Sequence, residues 1–289
     1  MKKRSRKVLS DILSYEDAGV IRNSFDVVGD IAILGHPHSS QRKAQIIANA
    51  VLRRHRNVKT VLLQTSPVKG ELRLRHLRYV AGEKKTVTLH KEFGCIFAVD
   101  VEKCFFSPRL SYERMRIAKM VTPGETVINM FAGVGCFSVL IAKQTKPEKV
   151  FSIDINPEAL HFQQENIRLN RVYDRITPLL GDSKDIIISR LQRVADRILM
   201  PLPEKAFEYL PFALLALKSS GGWIHYYDFE HANKSEDPIK KIRLKVETAL
   251  EELGLAFKVP FIRVIRSTGP NWFQLVADVK VLGKRTINH

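Results

Sequence analysis

Thr126 to Ser138, TVINMFAGVGCFS, is the stretch from which the rest of the chain is read. A short apolar run (Val127, Ile128, Met130, Phe131) leads straight into Gly133-Val-Gly135, and Phe137, Leu140 and Ile141 follow at helical spacing. That order is strand, glycine turn, helix. Glycine tolerates positive φ and lets a ligand approach the backbone, and a helix start carries unpaired N–H groups. A lone G-x-G is a weak signal, because glycine turns also serve only as connections. A dinucleotide fingerprint would place its third glycine at position 138, which is Ser, so that pattern is incomplete.

The next two strands narrow the choice. Val150 to Asp154 is apolar and ends in an acid 19 residues beyond Gly135. An acid at that spacing lies at the carboxyl end of the neighbouring strand, where it meets ribose hydroxyls. Ile176 to Leu180 ends in Gly181-Asp182, placed to hold an adenine amino group. No phosphate-gripping Lys follows the glycines, as a P-loop requires. The combination describes a nucleoside pocket, or else a plain α/β turn. Within the pocket reading, S-adenosylmethionine, an adenosine without phosphates, fits better than ATP or NAD. The predicted cofactor contacts are Phe131, Gly133, Gly135, Asp154, Ile155, Asp182, Ser183 and Pro201.

The remaining composition sets bounds. A chain of 289 residues is one large or two modest domains with ample core. No apolar run approaches the roughly 18 residues that span a bilayer, and the basic start MKKRSRK has no signal-peptide core after it. A cytoplasmic protein without membrane contact is expected. The formal net charge is +17, and the first hundred residues hold 19 of the 47 basic side chains but 9 of the 30 acidic ones. Such an excess indicates a polyanionic partner, nucleic acid ahead of membrane, or simply a soluble, ion-pair-rich surface. Cys95, Cys104 and Cys136 are too few and too dispersed for a disulfide framework or a zinc site, and no metal is expected.

In chain order, helices are predicted at Arg6–Tyr15 and Gln41–Arg54, with β segments at 25–34 (broken at Gly29-Asp30), 60–64, 72–81, 86–90 and 95–99. Residues 1–103 thus read as a small basic α+β domain. From residue 104 the pattern alternates, with strands near 126–130, 149–153, 175–180, 195–200 and 221–228 and helices between them. That is a parallel doubly wound α/β sheet. After a helix at 236–253, segments 259–265 and 273–282 are joined only by Ser267-Thr-Gly-Pro-Asn271. The link is too short for a parallel crossover, so the last two strands form an antiparallel hairpin. By analogy of fold this is a Rossmann-like class I methyltransferase domain spanning 104–289.

At Phe105-Phe-Ser-Pro-Arg-Leu-Ser-Tyr-Glu-Arg114 the chain resembles the archaeal and eukaryotic tRNA (guanine-37-N1)-methyltransferases, which share an SPRL-x-x-ER segment just before their methyltransferase sheet. The likeness continues through MFAGVGCFS, IDINPEAL, ENIRLN and HYY (225–227), and back into FDVVGDIAIL and GELRLR. It covers nearly the whole chain. It implies methyl transfer from S-adenosylmethionine to N1 of guanosine 37 in the tRNA anticodon stem-loop by a monomeric enzyme. By position in the matching motifs, Glu113 would be the general base and Arg73 the partner of the guanine O6. Without the resemblance, Glu113 reads as a solvated helix residue and Arg73 as a strand-edge charge. RNA contacts are expected from Arg53, Arg54, Arg56, Arg75 and Arg109, although Arg109 is equally suited to ordering its own loop.

Three departures from the family pattern bear on function. Asn129 stands where Asp is usual, and Pro201 stands where an Asn helps to position the target guanine. Pro201 offers neither a side-chain amide nor a backbone N–H. Only residues 1–24 precede Phe25, so the additional N-terminal tRNA-gripping domain of many archaeal relatives is expected to be absent. These departures keep other readings open. One is a dual enzyme that also methylates C7 of the wyosine precursor 4-demethylwyosine. Another is an aminocarboxypropyl transferase of the wybutosine pathway, although those relatives lack the Arg-Leu of Pro108-Arg109-Leu110. The third is an RNA-binding protein without activity.

Overall fold

The computed structural model describes residues 25–35 and 41–284; the helix expected at Arg6–Tyr15 lies outside them. The chain divides into two compact units, with the boundary after Ser111.

In the first unit, β1 (Phe25–Val28) and β2 (Ile31–Leu34) form a hairpin closed by Gly29-Asp30, with Val28 opposite Ile31. Gly29 has φ 56°, and a Cβ there would lie 2.1 Å from Thr88 Oγ1 and 2.5 Å from the Leu89 carbonyl oxygen. Only glycine fits that turn. Helix α1 (Gln41–Arg54) carries the chain over to β3 (Thr60–Gln64), which runs parallel to β2, and β4 (Leu77–Gly82) returns antiparallel. Ala32 and Leu34 of β2 lie beside Val61 and Leu63 of β3, and this face packs on Ala44, Ile47, Ala48 and Val51 of α1. β5 (Val87–Glu92) and β6 (Cys95–Asp100) form a separate hairpin. The strand expected at 72–81 begins only at Leu77. Residues 69–74 instead close a tight turn, in which Leu74 N–H donates to the Lys69 carbonyl and Arg73 takes a left-handed φ of 53°. Gly70, also at positive φ, is the local cause.

The second unit opens with α2 (Ser111–Met120) and continues as β7 (Thr126–Asn129), α3 (Cys136–Gln144), β8 (Lys149–Asp154), α4 (Pro157–Asn170), β9 (Ile176–Leu180), α5 (Ser183–Arg190), β10 (Arg197–Met200), α6 (Ala206–Ala216), β11 (Gly222–His231) and α7 (Pro238–Glu252). A long hairpin of β12 (Leu255–Gly269) and β13 (Trp272–Lys284) completes it. The sheet order is β9-β8-β7-β10-β11-β13-β12, with the first five parallel and β13 antiparallel to both neighbours. Helix starts follow local chemistry. Asn156, Asp182 and Asp237 cap α4, α5 and α7 by accepting backbone N–H bonds two residues on, and Pro follows directly at 157 and 238. The last two strands are longer than the expected 259–265 and 273–282. Their pairing continues through four register shifts, and Pro260 sits at one of them on the edge strand, where its missing N–H breaks no ladder bond.

The two faces of this sheet differ in chemistry. One carries Ile198, Met200, Ile224, Tyr226, Leu275, Ala277 and Val279 against buried residues of α5, α6 and α7. Truncating a side chain there, such as Ile198→Ala, costs about 2–5 kcal/mol. The opposite face carries Arg197, His225 and Asp278, none more than 1% exposed; His225 and Asp278 are register partners, and Arg197 stands two residues off the His225 register on the neighbouring strand. Charges that deep are tolerable only when paired.

Candidate active site

The strand order reverses between β7 and β10, and ligands of open α/β sheets bind outside the carboxyl ends of the strands at such a switch point. β7 ends in Asn129, and the chain then turns through Gly133 and Gly135 into α3. Gly135 holds φ 84°, and a Cβ there would press on Gln163 Cγ at 3.2 Å. As N-cap it provides no side chain to the first turn of α3. Asn129 is fully buried; its side-chain N–H donates to Ser138 Oγ (3.1 Å), which in turn pairs with Ser152 Oγ (2.7 Å). The substituted Asn therefore ties β7, α3 and β8 together beneath the turn.

Asp154 stands at the tip of β8. Its Oδ2 accepts the Gly133 N–H (2.6 Å) and its Oδ1 the Asn156 N–H (2.9 Å). Burial raises its pKa against the pull of those N–H groups. With backbone N–H groups of Gly133, Asn156 and Ile155 on it, the carboxylate keeps capacity for a further donor, which suits a ribose hydroxyl. Ile155 beside it is exposed at 40%, an apolar surface at the crevice rim. At the tip of β9, Asp182 accepts the Lys184 N–H (2.8 Å) and the Tyr209 hydroxyl (2.8 Å). Tyr209 meets the Phe131 ring edge-on at 5.1 Å, and Ser183 is buried with no partner for its hydroxyl among the described residues. The structure thus gathers Phe131, Gly133, Gly135, Asp154, Ile155, Asp182 and Ser183 at the tips of β7, β8 and β9. Half-buried Pro201 follows the tip of β10. These groups fit an adenosine: an acid for the ribose, an acid by the third strand and apolar walls.

Glu113 is 1% exposed on the first turn of α2. Its Oε1 accepts from Arg116 Nη2 (2.8 Å) and the Tyr227 hydroxyl (2.9 Å). Its Oε2 accepts from Arg116 Nε (3.0 Å) and Arg263 Nη2 (2.7 Å). Met200 is registered against Tyr226, so Tyr227 lies level with Pro201, and its ring meets Phe137 of α3 at 6.2 Å. That puts Glu113 near the carboxyl edge of the sheet. Burial first, then the Glu113 charge, raises the Tyr227 phenol well above its usual pKa, so it stays a donor.

Behind Glu113 runs a chain of buried charge. Arg116 also grips both oxygens of Asp278 (2.5 and 3.0 Å), and its guanidinium lies 5.0 Å from the centre of the Phe261 ring. Asp278 Oδ1 meets His225 Nδ1 at 2.6 Å, and His225 Nε2 faces Arg197 Nη1 at 2.8 Å. Arg197 is a donor only, so Nε2 accepts and the imidazole proton sits on Nδ1, donated to Asp278. Arg197 then closes on both oxygens of Glu125 (2.7 and 2.9 Å) and on the carbonyl of Met120, the last residue of α2.

The basic residues expected at RNA are placed differently from one another. Arg53, Arg54 and Arg56 are exposed at the end of α1, where cations also complement the helix dipole. Arg109 is bound to Asp26 at 2.7 Å, which ties down its own loop. Arg75 is half-buried, with one long contact to Gln64 (3.4 Å), and burial lowers its pKa. Arg73 lies with its guanidinium 4.2 Å from the centre of the Phe105 ring. Sequence reasoning gave no role to Arg116, Arg263, Asp278, His225, Arg197 or Tyr227. Two signals were available: Arg116 is one helical turn from Glu113, and His225 and Tyr227 lie within HYY.

A seven-stranded sheet in this order, with its antiparallel strand next to last and acids at the tips of β8 and β9, defines a Rossmann-like class I methyltransferase fold. The chain belongs to the TRM5/TYW2 methyltransferase family, whose methyltransferase domain matches residues 88–256, with the TYW2 N-terminal domain matching residues 5–86. It is 42% identical over 258 residues to the tRNA (guanine(37)-N(1))-methyltransferase Trm5b of Pyrococcus abyssi, covering 89% of this chain and 74% of that protein. It is 37% identical over 272 residues to the tRNA 4-demethylwyosine(37)-methyltransferase Taw21 of Saccharolobus solfataricus, covering 93% and 98%. The crystal structure of Pyrococcus abyssi Trm5b superposes with a TM-score of 0.83 at 40% identity, over 94% of this chain and 79% of that one. The complex of aTrm5 with tRNALeu gives 0.80 at 35%, over 96% and 77%. TYW2 of M. jannaschii, solved with AdoMet (S-adenosylmethionine), gives 0.68 at 28%, over 90% and 100%.

Proposed function

We propose that this chain transfers a methyl group from S-adenosylmethionine to N1 of guanosine 37 in tRNA, with Glu113 as general base and Arg73 stabilising the guanine O6. The observation that carries the reading is the carboxylate of Glu113, buried and clamped by the Arg116 guanidinium at the carboxyl edge of the sheet. The cofactor supplies an electrophilic methyl on its sulfonium. Asp154 would hold the ribose, Asp182 and Ser183 the adenine side, and the glycine turn the remaining backbone contacts. Neutral guanine N1 carries a proton and is a poor nucleophile, so a positioned carboxylate must take that proton as the methyl bond forms. Negative charge then builds on O6, where a guanidinium is worth most. The tRNA complex of aTrm5 supports an anticodon stem-loop partner for this chain too, with Arg53, Arg54, Arg56 and Arg75 as salt-sensitive phosphate contacts.

A second reading is favoured by two observations. Pro201 replaces the Asn that orients guanine, and the chain matches Taw21 nearly end to end. Methylation of C7 of the wyosine precursor at the same nucleotide is that reading. Aminocarboxypropyl transfer would use the same cofactor but release methylthioadenosine. The test is incubation with labelled cofactor and tRNA bearing either guanosine or the precursor at position 37, followed by digestion to nucleosides. N1-methylguanosine is the expected product, abolished by adenosine at 37. Glu113→Ala and Arg73→Ala should each cut turnover at least a hundredfold, by about 2.7 kcal/mol, with cofactor affinity unchanged. Parallel loss of cofactor affinity in both would overturn the assigned roles.

A further inference from the structure

Among the described residues Glu113 receives four donors on two oxygens, which is the full capacity of a carboxylate. A base in that state has no lone pair left for an incoming proton, so one donor must leave first. Arg116 is held in place, because it is clamped to Asp278 and stacked on Phe261. Tyr227 belongs to an inner strand and is 1% exposed. Arg263 differs on every count. It rises from the edge strand β12, opposite Val276, in the short regular run between register shifts at Lys258/Phe261 and Val264/Arg266. Its side chain is 37% exposed, it holds Glu113 by one hydrogen bond, and its buried Nε has no partner among the described residues.

We propose that Arg263 is a displaceable cap on Glu113, closing one lone pair of Oε2 in the free enzyme and yielding it to the substrate N–H. This rests on Glu113 acting as the base. Among the described residues, Arg116 from α2 and Tyr227 from β11 also bond Glu113, and Asp278 from β13, with His225 behind it, stands beyond Arg116 as a third group. All three remain when Arg263 is replaced, so Glu113 stays paired and buried. Arg263 is therefore a positioning residue, whose removal leaves the carboxylate one positive neighbour fewer and one lone pair free.

The experiment compares wild type with Arg263→Met, Arg263→Gln and Arg263→Lys, using guanosine-37 tRNA transcript across pH 5 to 9, with Glu113→Ala as reference. Cofactor affinity and thermal unfolding confirm that each variant is folded. The expected result is an acid limb of kcat/KM displaced to higher pH by about one unit in Arg263→Met and Arg263→Gln. Arg263→Lys should return it, and activity on the alkaline plateau should equal or exceed wild type. An unmoved limb, or a loss at all pH values that Lys does not rescue, would overturn the cap while leaving the base assignment intact. Full turnover by Glu113→Ala would overturn both.

Discussion

Arg116 holds Glu113 and Asp278 at once, with hydrogen bonds of 2.8 and 3.0 Å to the first and 2.5 and 3.0 Å to the second. One guanidinium thereby joins the first turn of α2 to β13, residues 162 apart in sequence. Burial opposes the Arg116 charge, but the two carboxylates outweigh it and raise its pKa, so the bridge stays charged at every accessible pH. The link makes the position of Glu113 a property of the sheet rather than of a helix end.

Asp278→Ala should therefore act at two levels. Removing one partner leaves Arg116 paired with Glu113 alone and breaks the buried His225 bond, at a cost of roughly 1–3 kcal/mol. Denaturant unfolding reads that loss as a fall in midpoint without a change in slope. In the folded protein the Arg116–Glu113 pair loses its anchor on β13, so kcat should fall tenfold or more while cofactor affinity holds. A stable variant with unchanged kcat would show that Asp278 braces nothing.

Stability should fall with acid in two stages. Burial lowers the His225 pKa from its ordinary 6.5, with Asp278 pulling the other way and Arg197 and Arg116 adding to the lowering. Unfolded chains take up that proton first, so the stabilisation is complete above about pH 6.5 and drains away as pH falls through the folded value. Burial alone would raise Asp278, but bonds from His225 and Arg116 win and bring it to about 2. Its contribution, roughly 2 kcal/mol, is present above the ordinary 3.8 and lost as pH falls towards 2. Denaturation curves taken from pH 8 to 3 should show the first stage in wild type and not in His225→Gln. A His225→Gln curve superimposed on wild type would assign the acid loss elsewhere.

What the sequence made legible was local. Gly133, Asp154 and Asp182 each follow an apolar run at its carboxyl end, and that order alone places them along one edge of a parallel sheet. The hairpin was legible because five residues cannot cross over. Its true length was not, since Lys258 and Arg266 look like strand ends while the solvated edge strand accepts them. The set around Glu113 was hidden for another reason. Arg263 is 150 residues away, and Asp278 and His225 reach Glu113 only through Arg116. Periodicity marks which face a residue takes, and says nothing of which distant strand shares it. Arg197 was a further case, a charge at 1% exposure in a run that reads as apolar core.

Substitution at Pro201 should separate the two substrates proposed for this chain. It is half-buried, directly after β10 and level with Tyr227, the residue that donates to Glu113. Pro201→Asn adds a side-chain amide and a backbone N–H there, together one or two hydrogen bonds to a guanine edge. At about 1 kcal/mol for a net hydrogen bond, guanosine-37 methylation should rise roughly fivefold in kcat/KM. The same change should lower methylation of precursor-bearing tRNA, because an amide placed for guanine narrows the space for a third ring. Pro201→Ala restores the N–H without the amide and separates the two effects. If Pro201→Ala matches Pro201→Asn on both substrates, the amide is irrelevant and loop stiffness is what Pro201 contributes. If Pro201→Asn loses guanosine activity and gains none with the precursor, the base lies elsewhere and the equivalence of Pro201 with the usual Asn is wrong.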